Sequence, residues 1–387
     1  MKAPSRRWPS LAPAAGSLNR AGGRAPLRVE VHASVEAVEQ EWDQLADQAG
    51  VAPFLRPAWL RAWWRAFGSG QLQIVALRNG GSGGPIVALV ALHERLGRVL
   101  STSNWHTPQF GMVAADEAAA AALAATLFRR RPIELSLGFV QGTSPELVHY
   151  RSAAAAAGYR VLERTLERSP YVPTDGTWNA YAQQQLSRNR RSQLGRCRRR
   201  LKREGRLGIE IVTGGERLQG TLEEAFRIEA AGWKGAKGTA IASRPETRRF
   251  YQEIAQWAAD RGWLRIAFLR LDGRALAVMC LLETNQVLYY LKGGYDPGFE
   301  RFSPGMVLLG SVLHTAFDGE IKRVELLGGN ERYKRSFAKD VHEKLRFQAF
   351  EPSALGRLSW AAFAHGRPLA KQAVAVARRV GERVPSR

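Results

Sequence analysis

The chain has 387 residues, enough for two ordinary domains, and its 45% hydrophobic and 24% charged residues exclude bulk disorder. Two cysteines, Cys197 and Cys280, exclude a disulfide framework and suit a reducing, cytoplasmic compartment. The net charge of +22 sits mostly in three segments, +5 over residues 1–26, +9 over 186–206 and +6 over 353–387, so the remaining body is close to neutral.

In chain order, residues 1–26 read as a disordered basic tail, since Arg6-Arg7 has no apolar run behind it of the kind an export signal needs. Strand periodicity begins at 72–78 and 85–92 around a Gly/Ser turn and continues at 98–103. The segment Ser103 to Phe110 then leads to an Ala-rich helix over 117–131 that opens on Asp116 and Glu117. A strand at 133–139, a helix at 145–157 and a strand at 159–166 complete a first α+β unit. Residues 187–205 predict a basic helix with Leu194, Cys197 and Leu201 on one face. Its arginines fit a solvated connector, a tRNA platform or a contact with anionic lipid, and the absence of interleaved aromatics counts against nucleic acid.

From Trp263 the same order returns. Strands at 264–271, 274–283 and 286–293 are joined by Asp272-Gly273 and Thr284-Asn285 turns. A Gly/Pro-broken loop, Tyr295 to Gly305, opens a helix over 304–317, followed by strands at 323–327 and 343–350 with a helix between them. A helix start offers backbone N–H groups and a positive dipole end, so this loop is a candidate phosphate cradle with Arg301, Ser303 and Gly305 as its members. In the first unit the carboxylates of Asp116 and Glu117 occupy the corresponding place, which predicts that donor binding is lost there. Beyond 352, Leu369, Ala373, Val376 and Val380 form the apolar stripe of a basic amphipathic helix, suited to a membrane surface or to packing on the body. No segment reaches the roughly 20 apolar residues that cross a bilayer, and seven histidines with two cysteines show no metal-ligand spacing.

This order of strands, loop and helices resembles the GNAT acyltransferase fold. The words PFLRPAWLRAWWRAFG (53–68), NWHTP (104–108), SRNRRSQLGRCRRRLKREG (187–205), GWKGAKGTAI (232–241), YYLKGGYDPGFERFSPG (289–305) and LLGGNERYKRSFA (326–338) together resemble the tandem-GNAT, CelD-like bacterial acyltransferases. These are distant relatives of the FemABX peptidoglycan aminoacyltransferases, and the resemblance covers about residues 27–350. It implies an α+β fold of two tandem GNAT-like domains, each a mostly antiparallel mixed sheet flanked by helices. The units are 27–175, on the acceptor side with a degenerate donor loop, and 176–352, catalytic and donor-binding, with a basic C-terminal helix at 353–387. It further implies transfer of an acyl group from acyl-CoA, without metal, to an amine or hydroxyl of an envelope-related sugar, lipid or amino-acid acceptor. Alternatives are an aminoacyl-tRNA-dependent transferase and a non-catalytic shell that binds polyanions or a membrane. Localisation would be cytoplasmic, with contact at the inner membrane face through the basic segments.

Candidate residues follow. Lys292, Gly293, Tyr295, Arg301, Ser303 and Gly305 would hold the donor, with backbone N–H groups near Leu291 to Gly293 polarising its carbonyl. Lys334 resembles the lysine of the FemABX motif and would stabilise charge; its bland alternative is a solvated lysine. His106 and Glu325 compete as proton acceptor, and His106 equally suits a loop hydrogen bond. Asn104, Trp105, Trp233, Lys234 and Tyr333 would contact the acceptor, with core packing the ordinary alternative for Trp233. His314, inside a helix, is expected in the core. No Cys or Ser stands in a nucleophile motif, which predicts direct attack without an acyl-enzyme.

Overall fold

The computed structural model describes residues 26–80, 83–232, 238, 240–329 and 331–366. The first half runs β1 (Leu27–His32), α1 (Glu39–Gln48), α2 (Pro57–Phe67), β2 (Gln71–Asn79), β3 (Ile86–Arg95), β4 (Arg98–Ser101) and β5 (Val113–Ala114). It continues with α3 (Glu117–Arg129), β6 (Glu134–Gln141), α4 (Pro145–Ala156) and β7 (Arg160–Pro173). The second half runs α5 (Trp178–Gln185), α6 (Arg188–Glu204), β8 (Leu207–Val212), α7 (Leu218–Ala230), α8 (Pro245–Asp260), β9 (Leu264–Leu271), β10 (Arg274–Thr284) and β11 (Val287–Tyr295). It ends with α9 (Pro304–Asp318), β12 (Arg323–Glu325), α10 (Arg332–Arg335), β13 (Asp340–Phe350) and α11 (Ala354–Ala361).

Local chemistry explains the punctuation. Proline stands in the first turn of α2, α4, α8 and α9, where its missing N–H costs nothing. Asp116, Thr177 and Ser187 cap α3, α5 and α6 through their side-chain oxygens. The β9–β10 turn has Asp272 and Gly273 both at positive φ, as a two-residue hairpin requires. The β10–β11 turn instead places Asn285 and Gln286 at positive φ, one residue beyond the predicted pair.

All strands except β5 follow one path, in the order β1-β2-β3-β4-β6-β13-β7-β12-β11-β10-β9-β8. The two halves therefore share one continuous sheet, and their last strands are exchanged. The first half's β7 pairs with β12 of the second half, and β13 of the second half pairs with β6 of the first. The expectation that each unit closes with its own last strand is corrected by this arrangement. Period-2 patterning fixes which face of a strand is buried but not which neighbour it takes. The helix expected between the last two strands of the second half is a single turn, α10, where the first half has the twelve residues of α4.

Helices cover both faces, which is why β2, β3 and β6 are buried almost end to end. On one face α1 and α2 pack with α7 and α8 in a single core that spans both halves, including Trp59, Phe250 and Tyr289. Phe54 meets Trp59 and Tyr289 edge-on, and Trp59 meets Phe250 edge-on, so aromatic packing joins first-half α2 to second-half α8 and β11. On the other face α3 and α4 cover the first half, and α5, α6 and α9 cover the second. Cys197 and Leu201 of α6 are buried there with Leu194 half-buried beside them, as its spacing predicts, leaving most arginines outside. His314 is not core: it lies exposed on α9 and stacks on Trp178.

Candidate active site

The second half's sheet opens at one place. β11 and β12 pair in parallel only from Val287–Tyr289 with Arg323–Glu325, yet β11 runs on to Tyr295. Its other edge stays paired with β10, with a register shift that leaves Leu291 as an extra residue. Residues 290–295 therefore line a wedge whose β12 side has no ladder. Glycine is required on this stretch: a Cβ on Gly294 would lie 2.5 Å from Glu229 Cα of α7, and one on Gly293 would lie 2.4 Å from the Tyr290 hydroxyl.

The first half has the same wedge, filled by its own chain. β4 and β6 pair over Arg98–Leu100 and Glu134–Ser136. Beyond that, Gly138 N–H donates to Ser101 Oγ (2.9 Å) and Ser103 Oγ donates to the Gly138 carbonyl (3.1 Å). Phe110 N–H then donates to the Phe139 carbonyl at 3.0 Å. The helix start beyond is also taken, since Asp116 Oδ1 accepts the Ala119 N–H at 2.8 Å. A carboxylate and a zipped backbone stand where a ligand anion and its chain would go.

At the open end of the second wedge, residues Pro297–Phe302 form a 3-10 turn and Ser303 adopts the left-handed conformation (φ 48°, ψ 54°). Ser303 makes no side-chain cap, while its carbonyl accepts the N–H groups of Met306 and Val307. The Phe302 ring is buried with the Arg301 guanidinium 4.7 Å from its centroid and that of Arg200, from α6, at 4.9 Å. The basic helix thus reaches the loop.

Along the wedge lies a cluster of polar groups from both halves. Lys334 is buried on α10, where its ammonium donates to the Leu327 carbonyl (2.5 Å) and pairs with Glu331 (3.0 Å). It is 6.0 Å from the Tyr290 ring centre and 5.8 Å from that of Tyr333. The Tyr290 and Tyr333 hydroxyls bond each other, and burial pushes Tyr290 up to about 12. Lys292 lies 5.9 Å from the Tyr251 ring centre. The Tyr251 hydroxyl in turn meets His106 Nδ1, from the first half, at 3.2 Å. Burial, reinforced by Lys292 and Arg244, depresses His106 to about 4, so its imidazole is neutral at neutral pH.

At the closed end, Glu325 is buried with Oε1 within 2.8 Å of Arg323 and 3.1 Å of His342. Lys344 of β13 lies close enough to interact with Glu325 and is paired directly with Glu167 across β7 and β13. Burial raises Glu167 while Lys334, Lys344 and Lys292 oppose the rise; burial lowers Lys344.

The structure brings together Lys292, Gly293, Lys334, Tyr333, His106 and Glu325 along one wedge, with Tyr295, Arg301, Ser303 and Gly305 at its mouth. Asn104 Oδ1 accepts the His106 N–H at 2.8 Å and so shapes that turn. Trp105 is 67% exposed and meets Phe139 edge-on. Trp233, Lys234 and the C-terminal amphipathic stripe lie outside the described residues. Sequence reasoning missed Glu167, Lys344, Tyr290 and Tyr251. The signal for the first two was a charge at an inward position of a strand.

Residues 188–335 match the family profile of the acetyltransferase (GNAT) domain. That match covers less than half of the chain; with the α+β fold it supports a transferase of the acyl-transferring class. Among solved structures, FemX aligns over 82% of this chain and 96% of its own, at 11% identity and a TM-score of 0.53. L-PGS from Bacillus licheniformis aligns over 89% of this chain and 97% of its own, at 12% identity and a TM-score of 0.51. The C-terminal domain of a protein described as a lysylphosphatidylglycerol synthetase, from Agrobacterium fabrum, aligns over 84% and 95%, at 14% identity and a TM-score of 0.51. Each alignment spans more than either half, so the two-half fold is shared. No curated protein matches the chain. Among the described residues, no helix is long and apolar enough to cross a membrane and no group of three or more His, Cys, Asp or Glu is placed to hold a metal ion.

Proposed function

We propose that the protein transfers an acyl group from acyl-CoA to an amine, or a hydroxyl, of an envelope-related sugar, lipid or amino-acid acceptor, as the CelD-like resemblance implies. The observation that carries this is the contrast between the two wedges: one open beside a helix start with Arg301, the other closed by Ser101, Ser103 and Asp116. The donor's pantetheine arm would lie along residues 290–295 in place of the missing ladder partner, its phosphates at Ser303 to Gly305 and Arg301. Backbone N–H groups at the Leu291 bulge would meet the thioester oxygen, where negative charge develops during attack. The acceptor would enter between the halves, near His106, Tyr251 and the exchanged strands, and attack directly. His106, held neutral and bonded to Tyr251, suits orientation of the acceptor better than proton transfer.

A second reading, transfer from aminoacyl-tRNA, is favoured by Arg200, which carries the basic face of α6 to the donor loop. The name lysylphosphatidylglycerol synthetase also leans toward amino-acid transfer. Calorimetry with acetyl-CoA and palmitoyl-CoA separates the two. Acyl-CoA binding that Arg301→Ala weakens about tenfold, the worth of one charge-assisted hydrogen bond, supports the first reading. No acyl-CoA binding, together with RNA that co-purifies and whose nuclease removal abolishes transfer, supports the second.

A further inference from the structure

Strand exchange carries a carboxylate of one half into the wedge of the other. Glu167 lies on β7 four residues before Tyr171, the partner of Glu325, so it faces the region where the β11–β12 ladder has already stopped. It is 8% exposed, and its Oε1 has no hydrogen-bond partner among the described residues. Two residues on, the Ser169 hydroxyl is fully buried and equally unpartnered. Buried polar atoms cost stability unless bonded, so two adjacent orphans on one strand face mark a place where something else bonds. The charged groups around Glu167 are Lys344 on β13, Lys334 and Glu331 at α10, and Lys292 on β11, with Glu325 and Arg323 behind Lys344. Of these, Lys292 lines the proposed donor wedge and Lys334 stands on its far side.

We propose that Glu167 is the catalytic proton acceptor, binding the acceptor's amine and taking its proton, with Ser169 orienting the same nitrogen. This rests on the acyl-thioester reading above. The amine lone pair forms the N–C bond to the thioester carbonyl carbon while the carbonyl electron pair moves onto oxygen. One N–H proton passes to Glu167 Oε1; the oxygen pair returns, the C–S bond breaks, and the leaving thiolate takes that proton. Amide and thiol are the products, and Glu167 is again a carboxylate. The device explains why the two halves are joined through their last strands: neither half alone holds both donor wedge and base.

Two measurements on the full chain test this. In the first, thiol release from acetyl-CoA or palmitoyl-CoA is followed with water as the nucleophile. Glu167→Gln should lower the rate about a hundredfold, the scale of a lost general base, while acyl-CoA affinity changes less than twofold. Glu167→Asp should restore part of the rate, and Glu167→Gln should erase the acid limb of the rate–pH profile. A folded Glu167→Gln protein with the wild-type rate and profile overturns the proposal and leaves Glu167 a charge partner of Lys344. The second measurement needs no donor: a water-soluble carbodiimide with glycine ethyl ester, read by peptide mass spectrometry. Glu167 should couple to the amine faster than Glu134, which is buried and paired with Arg98 and Gln348. Coupling at neither residue under conditions that label surface carboxylates overturns the proposal. Should the protein bind no acyl-CoA, the donor reading fails alone and the coupling result decides Glu167.

Discussion

Glu146 stands half-buried in the first turn of α4, its carboxylate accepting a bond from the Met112 backbone; desolvation raises it to about 7. A carboxyl whose folded value exceeds its unfolded one keeps its proton in the fold after the unfolded chain has lost it. Stability from this group is therefore present below the unfolded value of 4.5 and lost as pH rises through about 7. The loss is on the order of 3 kcal/mol. Glu146→Gln should flatten that part of the profile and melt higher than wild type at pH 8; parallel melting curves at pH 5 and pH 8 would contradict it. His106 works in the opposite sense. Its depressed value adds stability that is lost as pH falls from 6.5 toward 4. Tyr251→Phe, which removes its hydroxyl partner, should leave the fold intact and impair acceptor use more than donor affinity, read as KM for acceptor against Kd for acyl-CoA.

Elements are held at the site by close approaches rather than by hydrogen bonds alone. Gly294 lets α7 rest on β11, since any Cβ there would meet the α7 backbone at Glu229. Gly294→Ala must push α7 away, at a cost of about 1–3 kcal/mol. A lowered melting temperature with weakened acyl-CoA binding is expected, and an unchanged melting temperature would show that the contact yields freely. Trp59 links the halves through Phe250, while its Nε1 donates to Thr107 Oγ1 at 3.0 Å and ties α2 to the 104–110 segment of its own half. The elements themselves were largely legible in the sequence. The hairpins β9–β10–β11 follow from period-2 patterning and turn residues, and α9 follows from Pro304 and its apolar spacing. The N-terminal strand β1 and the edge strand β8 were not, because edge elements carry weak patterns, and α10 was expected as a helix but not as a single turn. β7 was read only to residue 166, since Glu167, Arg168 and Ser169 look like a polar exit from a strand. That truncation hid the residue on which the proposed chemistry turns.

For the molecule as a whole, the exchange makes the halves interdependent. Removing residues 340–387 deletes β13 and strips a ladder partner from both β6 and β7. Such a truncation should abolish cooperative unfolding of the entire chain. A truncated protein that melts in one sharp transition near wild type would contradict this. The exchange was invisible in the sequence because β7 and β13 have interchangeable patterns. The choice lies in their partners, which are more than 150 residues apart in β13 and β6. The duplication itself was visible, and so was the asymmetry between Asp116 and Arg301 that distinguishes a closed wedge from an open one.

Hydrogen exchange with and without acyl-CoA tests the central claim most directly, because it reads both wedges in one experiment. Protection confined to residues 290–307, with residues 101–112 unchanged, is the predicted result. Protection in the first-half segment, or none in either, would contradict the assignment of donor binding to the second half.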